Sequence, residues 1–99
     1  MVKIEIVNIL ERVLKLYEVT GEEMKSKSRN IDLQIPRLVF VNIAKKYGWT
    51  HKEIGKVINC SASNVTYYLS ENPKQKNTVL YRRGYNSMIN KIQQDERNG

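Results

Sequence analysis

Cysteine, histidine and tryptophan occur once each in this 99-residue chain, and proline only twice. A lone cysteine, Cys60, cannot close an intramolecular disulfide, so nothing ties the chain to an oxidising compartment. One cysteine with one histidine, His51, also excludes a zinc finger, which needs four soft ligands. The longest apolar run, Leu38 to Val41, is too short for a membrane-spanning helix. Glu5 precedes any longer apolar stretch, so no secretory leader is expected and the expected setting is cytoplasmic. No G-x-x-x-x-G-K-[ST] loop is present, which argues against nucleotide hydrolysis. Nothing in the sequence pairs Cys60 with a positioned base and an orienting third group. No enzyme activity, cofactor or metal site is therefore expected.

The remaining composition suits one small folded domain. Apolar residues make up 40% and charged residues 27%, too apolar for a disordered chain. Area scaling gives roughly 5,800 Å² folded against about 16,800 Å² unfolded, enough burial for a single core without staples. The formal net charge is +7, and it is unevenly spread. Met1 to Glu23 is net acidic, through Glu5, Glu11, Glu18, Glu22 and Glu23. Lys25 to Lys56 is strongly basic, with only Asp32 and Glu53 against Lys25, Lys27, Arg29, Arg37, Lys45, Lys46, Lys52 and Lys56. A middle segment this basic favours a polyanionic partner, nucleic acid ahead of anionic membrane.

Helical periodicity runs through the chain. From about Val2 to Tyr17, the residues Ile6, Ile9, Leu10, Val13, Leu14 and Tyr17 form one apolar stripe. Thr20 to Glu23 has the pattern of a capping box opening a short helix around Glu22 to Lys25. Ser26 to Asn30 is polar and basic and is expected as a loop. Pro36 is placed at the start of a helix ending at Gly48, apolar over most of its circumference and hence central to the core. Thr50 to Glu53 is a second capping box, opening a helix to about Ile58. Asn59 suits a left-handed turn, and Ser61 a cap for a helix through Leu69. A loop at Glu71 to Gln75 then leads to a last helix from about Lys76 or Asn77. Gly84 weakens that helix, and its end is expected to fray from Asp95. Tyr17, Tyr47 and Tyr68 fall at core spacing.

Residues 50–69 carry the functional signal. Ile54, Gly55, Ile58, Asn59, Cys60 and Val65 fit one register of a helix-turn-helix. Ile54, Ile58 and Val65 are its anchors, Gly55 permits close approach, and Asn59 makes the turn. In that register Ser61, Ala62, Ser63, Asn64, Thr66 and Tyr67 face outward at the start of the second helix. Short, hydrogen-bonding side chains there suit base edges in a major groove. An ordinary bundle with a polar outer face would share part of this pattern; the adjoining basic segment favours the nucleic-acid reading.

Taken together, Ser26-Lys-Ser-Arg29, Pro36-Arg37 and Glu53-Ile-Gly55 resemble the C-terminal DNA-binding domain of the bacterial replication initiator DnaA, in order and spacing over about residues 4–69. The resemblance implies an all-α fold, a small multi-helix bundle containing a helix-turn-helix of the Trp-repressor-like kind. It also implies roles. Arg29 would enter the minor groove with Lys27 beside it. Arg37 would contact phosphate at its helix start. Thr50, His51 and Lys52 would clamp another phosphate, and the helix from Ser61 would lie in the major groove. Ser61, Ser63, Asn64, Thr66 and Tyr67 would then read bases. The chain departs from the family in that helix, with Ser61-Ala-Ser-Asn-Val65 where the family has Asp-His-Thr-Thr-Val, so a DnaA box is not the expected target.

The leading expectation is sequence-selective binding of double-stranded DNA by a stand-alone protein, in replication initiation or transcriptional control. The alternative is a protein-interaction adaptor, or phage-type inhibitor, engaging a replication or transcription protein. It predicts an exposed apolar patch on the first or last helix. A homodimer stays open. An RNA-binding module has less support, since no aromatic RNP pattern or GXXG loop occurs.

Overall fold

The computed structural model describes residues 4–98. Within them the chain forms six α-helices and no strand: α1 (Ile6–Tyr17), α2 (Gly21–Lys25), α3 (Ile31–Lys46), α4 (His51–Val57), α5 (Ala62–Leu69) and α6 (Val79–Asn98). A 3-10 turn (Lys74–Asn77) precedes α6. The stripe on α1 buries Ile9 and Val13 and half-buries Ile6, Leu10, Leu14 and Tyr17. Val2, where the sequence pattern starts, lies outside the described residues. Glu18, at φ 55, closes α1. Thr20 and Glu23 exchange both bonds of the expected capping box, which opens α2.

The central helix α3 begins earlier than the proline rule places it. Asn30 is its cap, its side chain accepting from the Asp32 N–H at 3.0 Å. Pro36 therefore sits in the helix interior. Its missing N–H leaves the Asp32 carbonyl without its usual partner, and Asp32 is exposed, so water can supply the bond. From Leu33 to Ala44 this helix buries residues on every side, with Phe40, Val39 and Val41 fully enclosed. Gly48, at φ 96, ends it. Around α3 pack α1, α2, α4, α5, the 3-10 turn and α6.

Asn42 on α3 donates through Nδ2 to the carbonyl of Tyr68, at 3.1 Å, and so ties the end of α5 to the core. Also against α3, α6 buries Tyr81, Met88 and Ile92. Gly84 makes a notch for Tyr17: a Cβ there would lie 1.7 Å from the Tyr17 hydroxyl oxygen. That hydroxyl donates to the Leu80 carbonyl at 3.0 Å. The glycine that lowers helix propensity is thus where two helices meet. Nor does the helix end at Asp95: it runs to Asn98, and Asp95 pairs with Arg12 of α1.

Candidate nucleic-acid interface

Helices α4 and α5 meet as the sequence register requires. Ile54, Ile58 and Val65 are buried between them and α3. At Gly55 a Cβ would come within 2.4 Å of the Cys60 carbonyl oxygen, and the Cys60 N–H bonds to the Gly55 carbonyl at 2.8 Å. Only glycine lets the turn fold back this tightly. Asn59 takes φ 57, and Ser61 caps α5 by accepting from the Asn64 N–H at 3.1 Å. Cys60 is half-buried, and burial pushes its thiol up, an effect partly offset by the Arg37 charge.

The outward side of α5 presents Ser61, Ala62, Ser63, Asn64, Thr66 and Tyr67, all exposed. Their polar groups are not equally free. Thr66 donates to the Ala62 carbonyl at 3.0 Å and lies 3.1 Å from His51 Nδ1. With its proton directed to Ala62, the Thr66 oxygen can accept from His51 in the tautomer that carries its proton on Nδ1. These two residues link α4 to α5, and Thr66 stays exposed and His51 half-exposed on that side. Thr50 is likewise committed: its hydroxyl accepts from the Glu53 N–H and donates to the Glu53 carboxylate, at 3.2 and 2.8 Å. A carboxylate stands at that helix end, and of the three residues of the expected phosphate clamp Lys52 is exposed with no side-chain hydrogen bond among the described residues. By contrast, the Ser63 hydroxyl, the Asn64 amide and the Tyr67 hydroxyl make no hydrogen bond among the described residues.

Arg37 is the largest correction. Placed by sequence on a phosphate, it lies in the second turn of α3 and is only 6% exposed. Its Nε donates to the Met24 carbonyl at 3.0 Å and its Nη1 to that of Ser28 at 2.7 Å. Its Nη2 donates to the carbonyls of Glu23 and Ser26, at 3.1 and 2.7 Å. The guanidinium thus gathers the end of α2 and the loop after it around one fork of donors. Ser26 Oγ donates back to the Glu23 carbonyl at 2.7 Å, and Asn59 Nδ2 reaches the Lys25 carbonyl at 3.4 Å. The loop from 26 to 30 is fixed to α2, α3 and the helix-turn-helix, while Lys27 and Arg29 on it remain exposed and unpaired among the described residues.

Two grooves flank the start of α5. One, of about 630 Å³, is lined by Lys27 and Arg29 from the loop, by Ser61, Asn64 and Tyr67 from the α5 side, and by Gln34 and Gln75. The other, of about 530 Å³, lies across the turn and is lined by Lys52, Lys56 and Ala62. Asn59, Cys60 and Ser61 belong to both, so the capped end of α5 is a ridge between two cation-bearing channels. Ser63 is exposed on α5 but lines neither groove. Sequence reasoning passed over Lys56, although its spacing from Lys52 puts both on one face of α4. Gln75 had no local signal, because only the tertiary path of the chain brings it to the groove.

A family model described as the bacterial dnaA protein helix-turn-helix matches residues 6–71, from the start of α1 to just past α5. Comparison with curated proteins and with solved structures finds no match. With about two thirds of its length inside that model, and with the capped helix pair and its tight turn in place, the chain belongs to the bacterial DnaA helix-turn-helix family.

Proposed function

We propose that this protein binds double-stranded DNA with sequence preference, α5 lying in the major groove and the Arg29 loop in the adjacent minor groove. The observation that carries the reading is the ridge at Ser61, with the unpaired side chains of Asn64 and Tyr67 in the groove on one side and cations in the grooves on both sides. A duplex has that same layout: base edges on the floor of a groove, phosphates on its two walls. Asn64 has the side chain best suited to a base edge, since an amide can bond adenine at two atoms. Ser61 keeps a hydroxyl proton to donate while its oxygen caps α5. Lys25, Lys27, Arg29, Lys52 and Lys56 are exposed around the ridge. The reading places this binding in replication initiation or transcriptional control, with a site sequence other than the DnaA box, because α5 lacks the family's acidic and histidine readers.

Selection of bound duplexes from a random library at fixed salt tests the proposal. An enriched motif is expected, together with a log–log salt slope of about −4.5 for about five neutralised phosphates. Asn64→Ala relaxes preference at one position by about 1–3 kcal/mol, whereas Arg29→Ala weakens all sites. A library that emerges unenriched, with affinity flat in salt, defeats the proposal.

One observation favours a protein partner as a second reading. Leu16 on α1 and Leu80 on α6, 42% and 52% exposed, line a groove with Val19, Glu18, Glu22 and Asp32. Its acidic rim suits a basic, apolar segment of another protein. Pull-down with and without nuclease separates the readings, since a DNA-tethered partner is lost on digestion and a direct one stays.

A further inference from the structure

The family match stops at residue 71, yet Pro73 and Gln75 line the same groove as Arg29, Asn64 and Tyr67. The segment that brings them there is firmly held. Lys76 Nζ donates to the Ser70 carbonyl at 2.6 Å, and the Lys76 N–H to the Pro73 carbonyl at 3.2 Å. Thr78 donates to the Gln75 carbonyl through both N–H and hydroxyl, at 3.1 and 2.6 Å, and its oxygen then accepts from Tyr81 at the start of α6. Pro73 is buried. The backbone of Gln75 is thereby fixed, while its side-chain amide makes no hydrogen bond to any described residue. Lys74, exposed and equally unpaired, precedes it. A rigid backbone that carries an unspent amide into a groove shared with Asn64 and Arg29, with the exposed cation of Lys74 next to it in the chain, is the equipment of a contact surface. The fold does not use those groups for itself.

Resting on the duplex-binding reading above, we propose that residues 72–77 form a third DNA-contacting element outside the family's helix-turn-helix. Gln75 contacts the duplex beyond the bases facing α5, and Lys74 neutralises a phosphate beside it. The recognised site is longer on that side than the helix-turn-helix alone would specify. Glutamine suits this role because its amide both donates and accepts, and so can pair with an adenine edge or bridge base and sugar.

The test uses the full chain and the duplex selected from the library. Lys74→Ala, Gln75→Ala and Asn64→Ala are compared with wild type across a salt series, with Lys91→Ala on the α1–α6 surface as control. Circular dichroism melting verifies that each variant is folded; neither Lys74 nor Gln75 has a side-chain bond to lose. Lys74→Ala is expected to lower the magnitude of the salt slope by about one. Gln75→Ala is expected to keep the slope and to reduce preference at a flanking base pair by about 5- to 150-fold. Lys91→Ala is expected to change neither. If both Lys74→Ala and Gln75→Ala match wild type while Asn64→Ala loses its base, the third element is overturned and the helix-turn-helix reading stands. If wild type binds no duplex, both are overturned together.

Discussion

Replacing Arg37 with alanine separates two incompatible jobs for one residue. As a clamp, its guanidinium satisfies the carbonyls of Met24, Ser28, Glu23 and Ser26. The bond to Met24 is buried, so its carbonyl is left unmet at a cost of about 1–3 kcal/mol. The other three are only part-buried and regain water, losing roughly 0.5–1.5 kcal/mol each. These losses share one side chain and do not add fully, so about 3–5 kcal/mol is expected. Against a total stability of about 5–15 kcal/mol this is severe. At about 4–8 °C per kcal/mol it lowers Tm by more than about 12 °C. Arg37→Lys recovers only part, because an ammonium has three donors and no planar fork. Urea unfolding followed by circular dichroism measures this, and duplex affinity across salt is read at a temperature where each variant is folded. A phosphate contact gives the reverse pattern: stability within about 0.5 kcal/mol of wild type and a salt slope smaller by about one. That pattern would refute the clamp.

Gly84→Ala should gain about 1 kcal/mol from helix propensity alone. The added Cβ would instead meet the Tyr17 hydroxyl at 1.7 Å and the carbon bearing it at 2.6 Å, so a net loss of about 1–3 kcal/mol is expected in urea midpoints. A more stable variant would refute the notch. Asn59→Ala is expected to cost about 1–2 kcal/mol for holding a φ of 57, while Asn59→Gly stays near wild type; comparing thermal midpoints checks the pair. Burial pushes Tyr17 and Tyr81 up to about 12, against about 10 in the unfolded chain. The unfolded state therefore loses these protons first, so stability is intact below about pH 10 and declines as pH rises towards about 12. Urea midpoints over that range should fall less steeply in Tyr81→Phe; an unchanged slope would sink the assignment.

Local chemistry was legible wherever neighbours in sequence settle the outcome. Thr20 and Glu23, Thr50 and Glu53, and Ser61 are caps whose partners sit within one turn, and each forms as its spacing predicts. The positive φ at Asn59 and Gly48 belongs to the same class. Pro36 was misplaced because two rules compete: proline fits a first turn, but Asn30 offers a better cap and the solvent-exposed Asp32 carbonyl tolerates the missing donor. Arg37 was misassigned because its acceptors are backbone carbonyls, which no residue identity reveals. The bond between His51 and Thr66 joins two helices, and a polar residue seen in sequence carries no sign of whether its hydrogen bonds are already spent. The pairing of Asp95 was hidden for the same reason, since its partner, Arg12, stands at the other end of the chain.

The amide of Asn42 on α3 holds the Tyr68 carbonyl near the end of α5, and so helps to set how α5 is rotated about its own axis. If α5 lies in the major groove as proposed, which of its atoms meet a given nucleotide step depends partly on Asn42, a half-buried residue outside the proposed contact surface. On that proposal, target preference can drift through exchanges at position 42 while every exposed residue of α5 stays the same.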